Sequence, residues 1–464
     1  MSSSIRRRGP GPGSPPPPDP WGVALGEFLV NLLDGVEITF DYSPPDSSRS
    51  LEPIIADHQS EGSWSTLHEG PLGWKTRLSL RLAPRAVGFY PGETAELPPE
   101  LIELPDASVR AIERVTAQPI SEAGPYPSMV AALHDVVVAE MMAEQLAENA
   151  SRRFDRARAA RNLSDVLTYI DELSSTRIEG RSPTHGVVIT AEKPEWKPVG
   201  VQYPGEIRTL KRTPLLFDGV ASTIVLSTEG TVLGEMTRRR LSRYEKTPDA
   251  LAPFEDALGP DGALVAATSR ALGGIGLFLR SDQTVWVFDN GAPVLIRRGG
   301  RWKSLPLESL IAGVADLTGS ADVAELVVRT ALLASLRDHG AIIGVVGSGD
   351  LLEKVVEDKD RYDLVQTNHG KQPVESQVHR ILRGDVLDVD TLLRITRIDG
   401  ATIVDKRGRL IAYGAIVRSM ASRSEGARTA AARTLSRVAD VVLKVSEDGP
   451  ISVFASGSEV ASFL

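Results

Sequence analysis

The sequence predicts a mixed α/β architecture, and three observations predict it. Short β-branched runs such as "HGVVIT" from His185 and "AIIGVV" from Ala341 recur through residues 181–464, bounded by Gly, Asp or Asn turns. Segments with helical spacing of apolar residues separate them. In "SADVAELVVRTALLASLRDHG", Val323, Leu326, Val327, Leu333 and Leu336 share a face and Gly340 stops the helix. The chain of 464 residues is 42% apolar and 24% charged, ordinary for a folded protein and too long for one core, so it divides into domains.

Residues 1–20, with "RRRGPGPGSPPPPDP", hold too much Pro and Gly for regular structure and read as a disordered tail. Residues 21–125 form a small α+β domain of unknown role, with "WGVALGEFLVNLL" at helical spacing and "VEITFDY" and "WKTRLSLRL" alternating as half-buried strands. Residues 126–180 are rich in Ala, Leu, Met, Glu and Arg and predict a helical connector, as one long helix or two in succession. Its five arginines between Arg152 and Arg161 make a basic stripe, read as a solvated face that pairs with neighbouring acids, with contact to nucleic acid or an acidic partner as the alternative.

A strand-rich region, 181–320, follows, with hairpins in "STIVLSTEGTVLGEM" and "GLFLRSDQTVWVFDNGAPVLIRRGGRW". Gly273-Gly274-Ile275-Gly276 has no phosphate-loop lysine and reads as a helix stop; the basic turn of Arg297, Arg298 and Arg301 fits either a phosphate contact or a solubilising surface. Residues 321–464 form an α/β domain. There "AIIGVVGSGDLLEKVVED" is a buried strand, a glycine turn and a helix, without the spacing of a dinucleotide fingerprint. Another helix, a hairpin turning at Lys406-Arg407-Gly408, a helix from Gly426 and a final hairpin complete it. Phe217-Asp218-Gly219 with "VASTIVLSTEGTVLG" echoes Ile398-Asp399-Gly400 with "ATIVDKRGRLIAYG", which fits either an old duplication or a shared strand-turn-strand grammar.

Composition also excludes function classes. A net charge of −9 argues against a general nucleic-acid binder, although local basic patches still matter. The absence of cysteine removes disulfides, thiolate nucleophiles and cysteine metal sites. The seven histidines form no ligand pair at helical spacing, and His185 and His339, each before a glycine, read as turn residues. No run reaches membrane-spanning length and no signal-peptide core stands at the N-terminus, so the expected location is cytoplasmic with no membrane partner.

The stretch "GARTAAARTLSR" opens a helix after a glycine turn, where free N–H groups and the positive dipole end favour an anion. With its surroundings it resembles the DisA-type diadenylate cyclase (DAC) family over roughly residues 321–458. That family joins two ATP molecules into cyclic di-AMP at the face between two domains. Its Asp-Gly-Ala motif is intact as Asp399, Gly400 and Ala401, and its Val-Ser-Glu-Glu segment appears as Val445, Ser446, Glu447 and Asp448. Its Gly-Thr-Arg-His-Arg motif is reduced to Gly426, Ala427, Arg428, Thr429 and Ala430. The resemblance implies a diadenylate-cyclase-like domain in which Asp399 and Glu447 hold Mg²⁺, and Arg428 and Thr429 meet the phosphates of a nucleotide. One transition-state cation is worth about 10³- to 10⁵-fold in phosphoryl transfer, so losing a His and an Arg implies that turnover is very poor or absent while binding suffers less.

This pattern resembles the nucleotide-sensor offshoots of the family, in particular the sensor domain called DACNV. It implies a non-catalytic nucleotide-binding sensor in bacterial signalling or conflict response, with pairing of like domains into a homo-oligomer. Two alternatives stay open: an active cyclase with a replacement cation from Arg423, Arg433, Arg437 or Lys444, and a scaffold with a vestigial pocket. In a purely structural reading Asp399 starts a turn and Arg428 pairs with Glu425 or Asp448.

Overall fold

The computed structural model describes most residues from 127 onward, leaving out 151–153, 179, 192–195, 197–198, 209–212, 245–261, 306, 348, 363–386, 419–425, 448 and 464. Before 127 it describes residues 5–7, 28, 29, 32, 36–43, 63–69, 75–82, 107, 108 and 111. The helix expected from "WGVALGEFLVNLL", together with Arg152, Arg153, Arg423 and Asp448, lies wholly or mostly outside this set. Two compact units emerge, one comprising residues 2–82 and 96–305, the other 83–95 and 306–464 with Met1.

The first unit begins with a four-stranded sheet in the order β1-β2-β4-β3, from β1 (Ile5–Arg7), β2 (Val36–Ser43), β3 (Ser63–Glu69) and β4 (Lys75–Leu82). β1 lies inside the stretch expected to be irregular, and β3, with few apolar residues to alternate, escaped the periodicity. The helical stretch is two helices, α1 (Pro127–Glu148) and α2 (Arg156–Ser174), packed on each other. The Asp155 carboxylate caps α2 by accepting from Arg158 N at 3.1 Å. Arg156 of the basic stripe reaches Glu144 of α1 at 3.1 Å, a part-buried ion pair between the two helices rather than a pair along one helix face.

The larger sheet of this unit has the order β11-β10-β9-β8-β5-β6-β7. Its strands are β5 (His185–Thr190), β6 (Ser222–Ser227), β7 (Val232–Thr237), β8 (Gly274–Leu279), β9 (Val285–Asp289), β10 (Ala292–Arg298) and β11 (Arg301–Ser304). Short helices α3 (Thr213–Leu216) and α4 (Arg238–Leu241) and the longer α5 (Ala263–Leu272) are interleaved. β5, β6 and β8 are buried along their whole length, which is why they read as continuous apolar runs. Gly273 ends α5 in the left-handed region at φ 59°, the helix stop expected of the glycine cluster.

The second unit has helices α6 (Leu307–Thr318), α7 (Ala321–Leu336), α8 (Val389–Ile395) and α9 (Ala427–Leu435). Its six-stranded sheet has the order β14-β13-β12-β15-β16-β17, from β12 (Ala341–Val346), β13 (Ala401–Asp405), β14 (Leu410–Ala415), β15 (Val441–Val445), β16 (Ile451–Ala455) and β17 (Ser458–Phe463). The segment Gly349–Lys354 is a 3-10 helix rather than the α-helix expected there. Six residues after a glycine turn are too few to nucleate a stable α-helix.

Both mixed sheets, each flanked by helices, follow one path. A central strand (β5 or β12) has a parallel neighbour (β6 or β13) that leads into an antiparallel hairpin strand (β7 or β14). On its other side lies an antiparallel strand (β8 or β15) continued by a meander. The registers correspond: Val187 pairs with Ile224 and Leu277, as Gly344 pairs with Ile403 and Val442. From those rungs Ser281-Asp282 and Ser446-Glu447 fall at the same steps beyond their strands. Thr223 and Thr402 do too, both fully buried with hydroxyls that meet no hydrogen-bond partner. α5 and α9, each entered from a glycine, pack on corresponding strands. The echo in the sequence is a shared topology.

Candidate functional site

In the second unit the predicted residues collect at one end of the sheet. The ladder of β12 with β13 begins at Ile342 and Ala401, and that of β12 with β15 ends at Ala341 and Val445. Gly340 therefore stands just before the central strand, with Asp399 and Gly400 entering β13 on one side and Ser446 and Glu447 leaving β15 on the other. Gly400 has φ +116°, and a Cβ there would lie 2.4 Å from the Gly414 carbonyl carbon. The Asp-Gly step thus needs glycine for close backbone approach. Ala401 is buried in β13 and offers no side chain to a ligand.

The N-terminus of α9 closes this corner. Gly426 is its N-cap and supplies no side-chain acceptor, so the first amides of the helix keep their donors free of a cap. Arg428 lies over Gly340: a Cβ at Gly340 would be 2.7 Å from its Cζ. Its Nη2 donates to Glu447 Oε1 at 2.8 Å, with the side chains 44% and 68% exposed. At that exposure the pair is worth about 0–1 kcal/mol, weak enough for a ligand phosphate to compete with it. Lys444 Nζ donates to Thr429 Oγ1 at 3.4 Å, which brings a second cation to the residue standing where the resemblance expects histidine. Ser446 is held in the turn after β15 by its N–H to Pro450 O at 2.9 Å.

Arg428 thus pairs with Glu447, and the helix mouth presents two cations; Glu425 and Asp448, the partners of the purely structural reading, lie outside the described residues. Arg433 and Arg437, in and just after the far end of α9, do not join them. The Asp399 carboxylate is exposed and meets no hydrogen-bond or ion-pair partner among the described residues. Asp399 and Glu447 do not by themselves make a metal cage: among the described residues no group of three His, Asp or Glu converges, and Glu447 is engaged by Arg428.

Other candidates resolve structurally. Arg297 pairs with Asp171 at 2.9 Å and leans on Trp302. His339 Nε2 lies 2.9 Å from Thr396 O and ties the turn before β12 to the end of α8. His185, expected in a turn, is instead a fully buried strand residue with Nε2 2.8 Å from Tyr203 Oη, and burial lowers its pKa to about 4. Sequence reasoning named Lys444 only as one of four alternatives and missed Gly340; the signal that could have singled out Lys444 is that it stands alone as a charge inside the buried apolar run "VVLKV". No family model, curated protein or solved structure matches the chain. Among the described residues no helix is long and apolar enough to cross a membrane.

Proposed function

We propose that the second unit is a non-catalytic nucleotide-binding sensor whose ligand sits at the mouth of α9 near Asp399. The observation that carries this reading is the convergence of Arg428, Lys444 and an uncapped helix N-terminus over Gly340, a corner suited to phosphate oxygens. Ligand phosphate displaces Glu447 from Arg428, and Thr429 and Ser446 add hydroxyl contacts. Mg²⁺ enters with the nucleotide as its counter-ion, Asp399 and Glu447 being the carboxylates able to face it. Signalling through pairing of like domains, in the cytoplasm, completes the proposal and rests on the resemblance to the diadenylate cyclase family.

Lys444 also favours a second reading, an active diadenylate cyclase, because it supplies a replacement cation at Thr429. A thermal-shift screen against ATP, GTP, cyclic dinucleotides and NAD with Mg²⁺ separates the two when each hit is repeated with Arg428→Ala and analysed for products. The sensor predicts stabilisation that needs Arg428 and leaves the nucleotide intact. Cyclic di-AMP in the mixture supports the cyclase, and the absence of any shift leaves the corner a vestige held by an ion pair.

A further inference from the structure

The first unit departs from the second at the corresponding end of its sheet. Leu264, second after the entry glycine of α5 as Arg428 is second after that of α9, is buried. The Asp218 carboxylate accepts from the N–H groups of Val220, Ala221 and Ser222 at 2.9, 2.7 and 3.3 Å, so it serves its own turn. Arg280 pairs with Asp282 at 3.5 Å. Among the described residues of this unit no α9-type anion corner forms.

Cations reappear at the same end on another element. β7 ends at Thr237, which pairs with Ser222 at the start of β6, so the sequence "RRRLSR" from Arg238 to Arg243 emerges beside the Asp218 turn. Arg240 is fixed: its Cζ stacks 3.7 Å from the Trp196 ring centre and its Nη1 donates to Glu235 O at 2.8 Å. Arg238, Arg239 and Arg243 are exposed and meet no carboxylate among the described residues. Trp196 and Tyr244 pack edge to face with ring centres 5.8 Å apart, and Tyr244 is half-buried beside the arginines.

We propose that this arginine face binds the phosphate backbone of a single-stranded nucleic acid. Acids outnumber bases 61 to 52 in the chain, so three exposed arginines within six residues that meet no carboxylate among the described residues are a local concentration that solubility does not require. Guanidinium forks suit phosphate oxygens, and exposed cations gain affinity together from a ligand that spans several of them at once. Of the adjoining aromatic pair, Trp196 is taken up by Arg240, which leaves the half-buried Tyr244 as the ring a base can meet, the usual companion of a basic track for single strands. The proposal is independent of the nucleotide reading for the second unit.

The test is fluorescence anisotropy of a labelled single-stranded oligonucleotide with the full-length protein, titrated at low and physiological salt. Three phosphate contacts predict a slope of about −2 in log affinity against log salt. Arg238→Glu/Arg239→Glu/Arg243→Glu should weaken binding by about tenfold or more with an unchanged unfolding temperature, and Arg243→Ala alone by about threefold. Arg428→Ala should leave it intact. Failure of the wild type to bind, full binding by the triple variant, or displacement by ATP or polyglutamate as effectively as by unlabelled oligonucleotide would each overturn the proposal.

Discussion

The two mixed sheets run the same path in corresponding register, yet their matching corners do opposite things. In the first unit the Asp-Gly turn consumes its own carboxylate, and the helix mouth carries Leu264 buried in the core. In the second the Asp399 carboxylate is exposed and the helix mouth carries Arg428, with Lys444 at Thr429. A topology fixes where a corner lies, and a few side chains decide whether it is filled from within or lined with exposed charges. The features that both corners keep are the ones packing requires.

The largest expected effect tests that shared requirement. Gly400→Ala drives a Cβ to 2.4 Å from Gly414, and Gly219→Ala drives one to 2.6 Å from the Phe278 ring, both at positive φ. Each should cost about 3 kcal/mol or more in chemical denaturation. Tolerance at one and not the other would break the correspondence of the two turns.

A pH effect of similar size belongs to the first unit. Burial, with Glu148 nearby, raises the pKa of Asp289 to about 6, and burial lowers that of His185 to about 4. Asp289 binds its proton more tightly folded than unfolded, so its contribution is greatest below about pH 4 and is lost as pH rises through 6. His185 is kept neutral by the fold, so its contribution is present above its unfolded value and lost as pH falls through about 4. Each spans about 3 kcal/mol, and between pH 4 and 6 they oppose each other. Asp289→Asn should make stability rise with pH across that window and His185→Gln should make it fall, as read by urea titrations in a pH series.

Much of this molecule was legible locally. The strands at 185–190, 222–227 and 341–346 announce themselves because β-branched runs between Gly, Asp and Asn turns are a nearest-neighbour property. The stop at Gly273 and the hairpin at Lys406-Arg407-Gly408 were legible for the same reason. Contacts between residues distant in sequence were not. His185 looks like a turn residue until Tyr203 is seen against it, and Gly340 looks like a mere helix stop until Arg428 lies over it. Asp399, Arg428 and Glu447 could be named from their motifs, whereas the pairing of Arg428 with Glu447 depended on strand register.

Smaller effects sharpen the comparison. Thr223→Val and Thr402→Val each remove a buried hydroxyl without a partner while keeping shape, and each should stabilise its unit by about 1 kcal/mol in thermal or urea unfolding. A gain in one unit only would separate their cores. Arg428→Ala should change stability least, by less than about 1 kcal/mol, because it breaks only an exposed ion pair. That makes it a clean probe of binding.

Equilibrium dialysis of labelled ATP with Mg²⁺ against wild type and Arg428→Ala tests the central claim most directly, that the nucleotide site lives in the second unit alone. The account predicts one nucleotide per chain in the wild type and none in the variant. Two per chain, binding that survives the loss of Arg428, or no binding to the wild type would contradict it.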